Sequence, residues 1–152
     1  MRSIFADVVW PALFLQSRLL SVPVILAGLA IEYFFVWRIT TLGVWWSMLA
    51  DVAMNAASSL LGIFLIPAAG IVWEVFPGIL LYKGLNWGTF NPITWAGTFC
   101  MAVLINAALE TFVLAKGFKQ KMGKRGFAWL CLANGITVGI AMVTLVIRPI
   151  RG

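Results

Sequence analysis

The acidic residues of this chain lie inside stretches that otherwise resemble hydrocarbon. There are five acids against eleven Lys and Arg residues, and most of the bases fall between those stretches or at the chain ends. The acids are Asp7, Glu32, Asp51, Glu74 and Glu110. An acid at the centre of a membrane helix costs about 2.5–3.5 kcal/mol to insert, so it normally faces the bundle interior or a functional site. The acids therefore indicate where function is expected.

Two of the acids are each paired with an asparagine four residues away. Asp51 precedes Asn55, whereas Asn106 precedes Glu110. A spacing of four places both side chains on one helix face. Because the order is reversed, the two faces align when the helices are antiparallel. At a rise of 1.5 Å per residue, both asparagines are predicted at a depth of about 15–17 Å, close to mid-membrane.

Two further polar residues are predicted at a similar depth. Glu32 lies about 9 Å below Arg38, and Asn134 lies about 12 Å below the basic segment 116–126. Each predicted span then contributes to one polar layer, open toward the basic segment. The predicted layer consists of Glu32, Asp51, Asn55, Asn106, Glu110 and Asn134.

Three interpretations of this layer are open. It can form a pocket that binds a cation, a proton or a small polar ligand. It can be a hydrogen-bonded network that fixes helix register, with asparagine contacts worth about 0.6 kcal/mol each. In the third interpretation, the acids meet Arg or Lys residues of a partner subunit.

The elements that would position these residues are membrane-spanning helices. The chain is 62% hydrophobic and 11% charged, whereas soluble proteins are about 25% charged. We predict an all-α polytopic fold with one integral membrane domain over residues 1–152. Its predicted parts are an interfacial segment over 1–18, four spans near 19–37, 44–66, 93–115 and 127–147, and a half-helix or kinked extension near 68–82. The second span is expected to end or kink at Pro67.

The orientation in the membrane is nearly balanced. With four spans, one side carries Arg38 and the five bases of 116–126, six in all, and the other side carries five. The density of bases in 116–126 favours a cytoplasmic location for that loop, with both termini outside. If 68–82 crosses the bilayer, the count becomes seven against four, the N-terminus lies inside, and the polar layer no longer forms. Both topologies are open.

Several function classes are disfavoured by composition. The absence of His disfavours haem and zinc ligation and most general-base catalysis near neutral pH. We expect no catalytic residues, no metal, no cofactor and no enzymatic activity. Nucleic-acid binding would need a solvated basic face, and none is predicted. Cys100 and Cys131 are expected to be separate, buried structural thiols.

Two weaker motifs concern packing and lipid. Gly135 and Gly139 form a GxxxG motif, which allows close helix approach within or between chains. The basic segment is expected to recruit anionic lipid or to determine topology. Its bases are Lys116, Lys119, Lys121, Lys124 and Arg125.

The first functional hypothesis is a small integral subunit or accessory protein of a larger membrane complex, contributing to assembly, stability or lipid contacts. The alternative is an oligomeric ion- or proton-coupled transporter or channel that uses the Asp/Glu/Asn layer. Expected partners are anionic lipids and either other membrane subunits or further copies of the chain. The lack of N-x-S/T sequences and the Met1-Arg2 start favour a bacterial inner membrane.

Overall fold

The structure, a computed structural model, describes residues 10–80, 84 and 92–147. These residues form helices and no strands. A helical turn over Glu74–Gly78 follows the third helix and is kinked at Phe76, which has extended backbone. The five helices are α1 (Trp10–Leu19), α2 (Val22–Ile39), α3 (Val44–Trp73), α4 (Pro92–Lys116) and α5 (Lys124–Ile147).

Four of these helices, α2 to α5, are long and apolar enough to cross a membrane. The prediction of an all-helical integral membrane protein with four spanning helices is confirmed at that level. The ends of α2, α4 and α5 fall within three residues of the predicted spans. Asp7, in the predicted interfacial segment, lies outside the described residues.

The two short connections lie at the same end of the bundle. The backbone N–H and the hydroxyl of Thr41, between α2 and α3, both donate to Gln120 Oε1 at 3.1 Å. Gln120 lies between α4 and α5. The loop after α2 and the basic segment therefore share one side, as the four-span arrangement requires. We call this end of the bundle the basic end.

The second spanning helix does not end at Pro67. It runs 30 residues as α3, about 45 Å, which exceeds the roughly 30 Å hydrocarbon core. Proline removes one backbone hydrogen bond, but tertiary packing supports the helix here because Ile66 and Ala69 on either side are buried. Of the two predictions for 68–82, a kinked extension describes the residues up to 80. Nothing is described of 81–83.

The N-terminal helix packs into the bundle, so the structure does not support an interfacial position for its described part. Ala12 and Leu15 of α1 are fully buried. The Ala12 methyl group lies so close to Gly70 that a Cβ there would be 2.9 Å away. Gln16 lies beside Gly62, about two turns earlier in α3. Thus α1 and α2 together run antiparallel to α3, interrupted at residues 20–21.

Two apolar clusters fill the bundle, one on each side of the polar residues. The cluster at the basic end contains Val36, Ala50, Met54, Ala107, Leu114 and Leu130. The far cluster contains Ala12, Leu15, Val24, Ile66, Ala102, Val103, Val138 and Ala141. Tight packing on both sides holds the polar side chains at mid-depth.

A candidate polar site within the membrane bundle

Glu32 is the centre of one hydrogen-bonded group. Its Oε2 accepts a 2.7 Å hydrogen bond from Asn55 Nδ2 of α3. Its Oε1 accepts a 3.0 Å hydrogen bond from the Thr137 hydroxyl of α5. The Glu32 side chain is only 2% exposed. Three helices therefore meet at this carboxyl group, and burial is tolerated because both oxygens have partners.

Asp51 belongs to the same group but lies behind Asn55. Asn55 Nδ2 also approaches Asp51 Oδ1 at 3.2 Å and the Asp51 carbonyl at 3.1 Å. An amide has two protons, so one serves Glu32 and the other serves Asp51. Asn55 thereby bridges two acids that would otherwise repel each other.

Glu110 forms a second group with Asn134. Asn134 Nδ2 donates to Glu110 Oε2 at 2.6 Å and to the Leu130 carbonyl at 3.1 Å. Both side chains are 1% exposed. A distance of 2.6 Å is short for an N–H···O hydrogen bond. It ties α4 to α5 at the level where Glu32 ties α2 to α3 and α5.

A cavity of about 30 Å³ separates the two groups, which is room for roughly two water-sized particles. Glu32, Asn55, Asn106, Glu110 and Asn134 all line it. Five of the six predicted polar residues therefore meet at one space. Asp51, the sixth, reaches it only through Asn55.

Two acceptor atoms on this cavity have no hydrogen-bond partner among the described residues. They are Glu110 Oε1 and Gln16 Oε1, both buried. Asn106 also lines the cavity, and its side chain makes no hydrogen bond within the described part of the chain. No Lys or Arg is among the residues that line the cavity. It is therefore rich in acceptors and lacks a protein cation.

The cavity extends away from the basic end, so the predicted opening toward the basic segment is wrong. Beyond the acids it is lined by Leu19, Leu20, Val24 and Ile25 at the junction of α1 and α2. Toward the basic end, Val36, Met54 and the other side chains of that apolar cluster close the bundle.

The helix break at residues 20–21 lies on this cavity. Leu20 N–H bonds the Gln16 carbonyl, and the Ser21 hydroxyl and N–H both bond the Arg18 carbonyl. Val22 begins the next helix, and Pro23 lies in its first turn. Because α2 is a spanning helix, the break lies near the end of the bundle opposite the basic end. The break thus combines with the acids in one site.

Three contributors were missed from the sequence. Thr137 follows Asn134 by three residues, so the spacing already placed both on one face of α5. Gly28 lies one turn before Glu32, and its lack of a side chain lets Thr137 approach. Gln16 carried no such signal, because its position depends on α1 packing between α3 and α5.

The remaining predicted positions lie elsewhere. Cys100 is exposed and Cys131 is half-buried, so the prediction of a buried thiol is wrong for Cys100. Gly135 and Gly139 are half-buried, and a Cβ at either would meet nothing within 4 Å in the described structure. The bases Lys116, Lys119, Lys121, Lys124 and Arg125 are all exposed at the basic end. No group of acids and cysteines in the described residues is arranged to hold a metal ion.

The arrangement can bind a species that supplies positive charge or hydrogen-bond donors. Carboxyl and amide oxygens are ligands for hard cations and acceptors for protonated groups. Comparisons with protein-family models, with curated proteins and with solved structures found no match to this chain. The functional argument therefore depends on the geometry of the site.

Proposed function

We propose that the chain is an oligomeric ion- or proton-coupled transporter or channel whose intramembrane acids bind a small cation or a proton. One observation carries the proposal. Glu32 and Glu110 line one cavity together with Gln16, and no Lys or Arg lines it. Glu110 Oε1 and Gln16 Oε1 are buried without a hydrogen-bond partner among the described residues. Buried charge is tolerated when it is paired, so a bound cation or proton complements this cavity.

The surroundings of the cavity support access from one side. The helix break between α1 and α2 borders it, and because α2 is itself a spanning helix this break lies near the end of the bundle opposite the basic end, the side from which we expect access. The apolar cluster at the basic end separates it from the other side. A carrier needs this asymmetry, because a site open to both sides would leak.

The four spans of one chain enclose little volume. A cavity of about 30 Å³ accepts a proton or a small dehydrated ion and excludes an organic substrate of drug size, whose pockets measure about 300–1,000 Å³. The proposal is therefore limited to small species.

Flux through reconstituted liposomes tests the proposal. Wild-type protein is expected to move protons or a monovalent cation, measured with a pH-sensitive dye inside the vesicles and with single-salt gradients. Glu110→Gln keeps an acceptor for Asn134 but removes the ionisable carboxyl group. Because an amide can neither release a proton nor neutralise a bound cation, we expect a flux lower by about 10- to 100-fold.

Thr111→Val is the matched control. Thr111 adjoins Glu110 in sequence, its hydroxyl is buried without a described partner, and it does not line the cavity. Its flux should equal that of the wild type. Wild-type vesicles that move no proton or cation across a range of pH, with folded protein present, would leave the polar groups with a structural role only.

A second candidate, membership of a larger membrane complex, is supported by the glycines of α5. Because a Cβ at Gly135 or Gly139 would meet nothing within 4 Å in the described chain, the space beside these glycines can admit a helix of another subunit or copy. The interpretation in which the acids meet Arg or Lys residues of a partner subunit is not supported for Glu32 and Glu110, since both are buried within their own bundle.

Purification in mild detergent followed by mass spectrometry tests this candidate. We expect a co-purifying membrane chain or a homo-oligomer, lost in Gly135→Leu with Gly139→Leu and retained in Gly123→Leu, another glycine with an open Cβ position. Stable recovery of the wild type as a lone monomer would exclude it. For both candidates we propose the bacterial inner membrane, supported by the absence of N-x-S/T sequences.

A further inference from the structure

A second pocket lies at the basic end, between the end of α2 and the start of α5. It encloses about 460 Å³, a size typical of small-molecule sites. Its charged lining residues are Arg38, Lys121 and Arg125, and it has no acidic lining residue. Three cations from two separate segments thus converge on one concave surface.

Backbone geometry adds to this positive field. The first turn of α5 contains no acid, and α5 is 24 residues long. Its first N–H groups lack partners within the helix, so the N-terminus attracts anions. Lys121 and Arg125 flank that N-terminus, so the backbone N–H groups of α5 and these two side-chain charges all favour an anion in the pocket.

The two segments that form the pocket are held together. Thr41, two residues after the end of α2, donates two hydrogen bonds to Gln120. Gln120 immediately precedes Lys121. The distance between Arg38 and the α5 start is therefore restrained by a contact outside the pocket, and the cations are positioned in advance.

Apolar groups form the membrane side of the pocket. Trp129 lies about 7.5 Å along α5 from its start. A tryptophan this close to the end of a spanning helix is expected at the membrane–water interface. It packs against Phe35, with ring centroids 5.7 Å apart. Leu132 and Ile136 continue the exposed face of Trp129 toward the membrane interior. The positive charge at the pocket and the apolar residues on its membrane side together suit a ligand with an anionic headgroup and a hydrocarbon chain.

We infer that this pocket is a specific site for the phosphate headgroup of an anionic glycerophospholipid, bound by Arg38, Lys121 and Arg125 with its acyl chain along Trp129. Arginine pairs with phosphate oxygens through two parallel N–H bonds. A free phosphate has the same headgroup chemistry but gains nothing from the apolar stripe. The site differs from general attraction to lipid because three bases of the same loop, Lys116, Lys119 and Lys124, lie outside it.

Those three bases provide a charge-matched control. We compare Arg38→Gln/Lys121→Gln/Arg125→Gln with Lys116→Gln/Lys119→Gln/Lys124→Gln, which both remove three positive charges from one side. Purified full-length protein in neutral detergent is titrated with phosphatidylglycerol or phosphatidylcholine of identical acyl chains. Native mass spectrometry counts the bound lipid.

The wild type is expected to retain one phosphatidylglycerol in preference to phosphatidylcholine. One charge near a membrane surface contributes about 1 kcal/mol, or about five-fold, so the pocket triple should lose about 100-fold in affinity. The control triple should change by less than about three-fold, because its bases do not contact the headgroup. Equal losses of phosphatidylglycerol affinity in both triple variants would show that the lipid responds to overall positive charge and not to a specific pocket.

Two further arms keep the test decisive. Equal wild-type affinity for the two lipids would overturn the site without any variant. Displacement of the lipid by millimolar inorganic phosphate or glycerol 3-phosphate would assign the pocket to a soluble anion. If the triple variant does not fold, the single Arg38→Gln is compared with Lys116→Gln, and only Arg38→Gln should weaken phosphatidylglycerol binding.

Discussion

The two polar regions of this bundle, the buried acids and the exposed bases at the basic end, differ in how their polar groups are satisfied. In the interior, Glu32, Asp51 and Glu110 are at most 2% exposed, and amide or hydroxyl groups of the same chain satisfy most of their oxygens. At the basic end, Arg38, Lys121 and Arg125 are exposed around an open pocket of about 460 Å³. The interior charges depend on exact partners, whereas the exposed ones depend on what approaches from outside.

The difference follows from the surrounding medium. A buried carboxyl group without its donor costs stability at once, because nothing replaces the lost bond. An exposed base is hydrated whether or not it is paired, so its loss is nearly neutral for folding. The interior region should therefore respond to substitution through stability and flux, and the basic pocket through ligand affinity.

The largest difference is expected for Asn134→Leu. This change removes the 2.6 Å donor of Glu110 and should lower the free energy of unfolding by about 2–3 kcal/mol, near the upper end of the cost of leaving a buried polar group without its partner. Arg38→Gln at the basic end should change it by less than about 0.5 kcal/mol. Thermal unfolding in detergent, followed by circular dichroism, measures both.

A double variant checks the cause of that loss. Glu110→Leu combined with Asn134→Leu removes both partners together, and we expect it to be more stable than Asn134→Leu alone, since no buried polar group is left unpaired. If the two variants are equally unstable, the packing of Asn134 rather than its hydrogen bond is responsible.

A smaller contrast is expected from two glycines, one in each region. A Cβ at Gly28 would lie 3.0 Å from Thr137 Cγ2, a short branched side chain, while a Cβ at Gly126 meets the flexible end of Met122 at 2.9 Å. Gly28→Ala should push Thr137 away from Glu32 and cost about 1 kcal/mol. Gly126→Ala should be neutral or slightly stabilising, because Met122 can move and alanine favours a helix. If Gly28→Ala and Gly126→Ala have the same unfolding midpoint, this contrast is contradicted.

The smallest effect is expected for Gln120→Ala, which releases the loop contact with Thr41. Both hydrogen bonds are exposed, so stability should fall by only about 0.5 kcal/mol. Phosphatidylglycerol affinity should fall about two- to three-fold, because Arg38 and the α5 start are no longer restrained. Thr111→Val, remote from this loop, should leave lipid affinity unchanged in the same titration.

Much of the interior site was predictable from spacing. Asp51 and Asn55 share a face because four residues make about one turn, and they do bond within α3. Depth counting placed Glu32 and Asn134 at the same level as Asn106 and Glu110, and the cavity brings these four together. The count succeeded because a spanning helix has a constant rise and two ends located by charge.

Spacing could not predict which groups pair across helices. Glu110 bonds Asn134 of α5, whereas its predicted neighbour Asn106 makes no described hydrogen bond. Rotation of a helix about its own axis decides such pairs, and a hydrophobic sequence constrains that rotation weakly because lipid and core are both apolar. The prediction that the polar layer opens toward the basic segment was wrong for the same reason.

The sequence by itself determined the all-helical class and the four helices that are long and apolar enough to cross a membrane, because hydropathy and helical rise are local properties. Only the tertiary structure decided that Pro67 lies within a continuous helix and that Gln16 enters the polar site. It also decided that Arg38 joins Lys121 and Arg125 at one pocket. Each of these depends on packing between segments distant in the chain, where contacts outweigh the preference of any single residue.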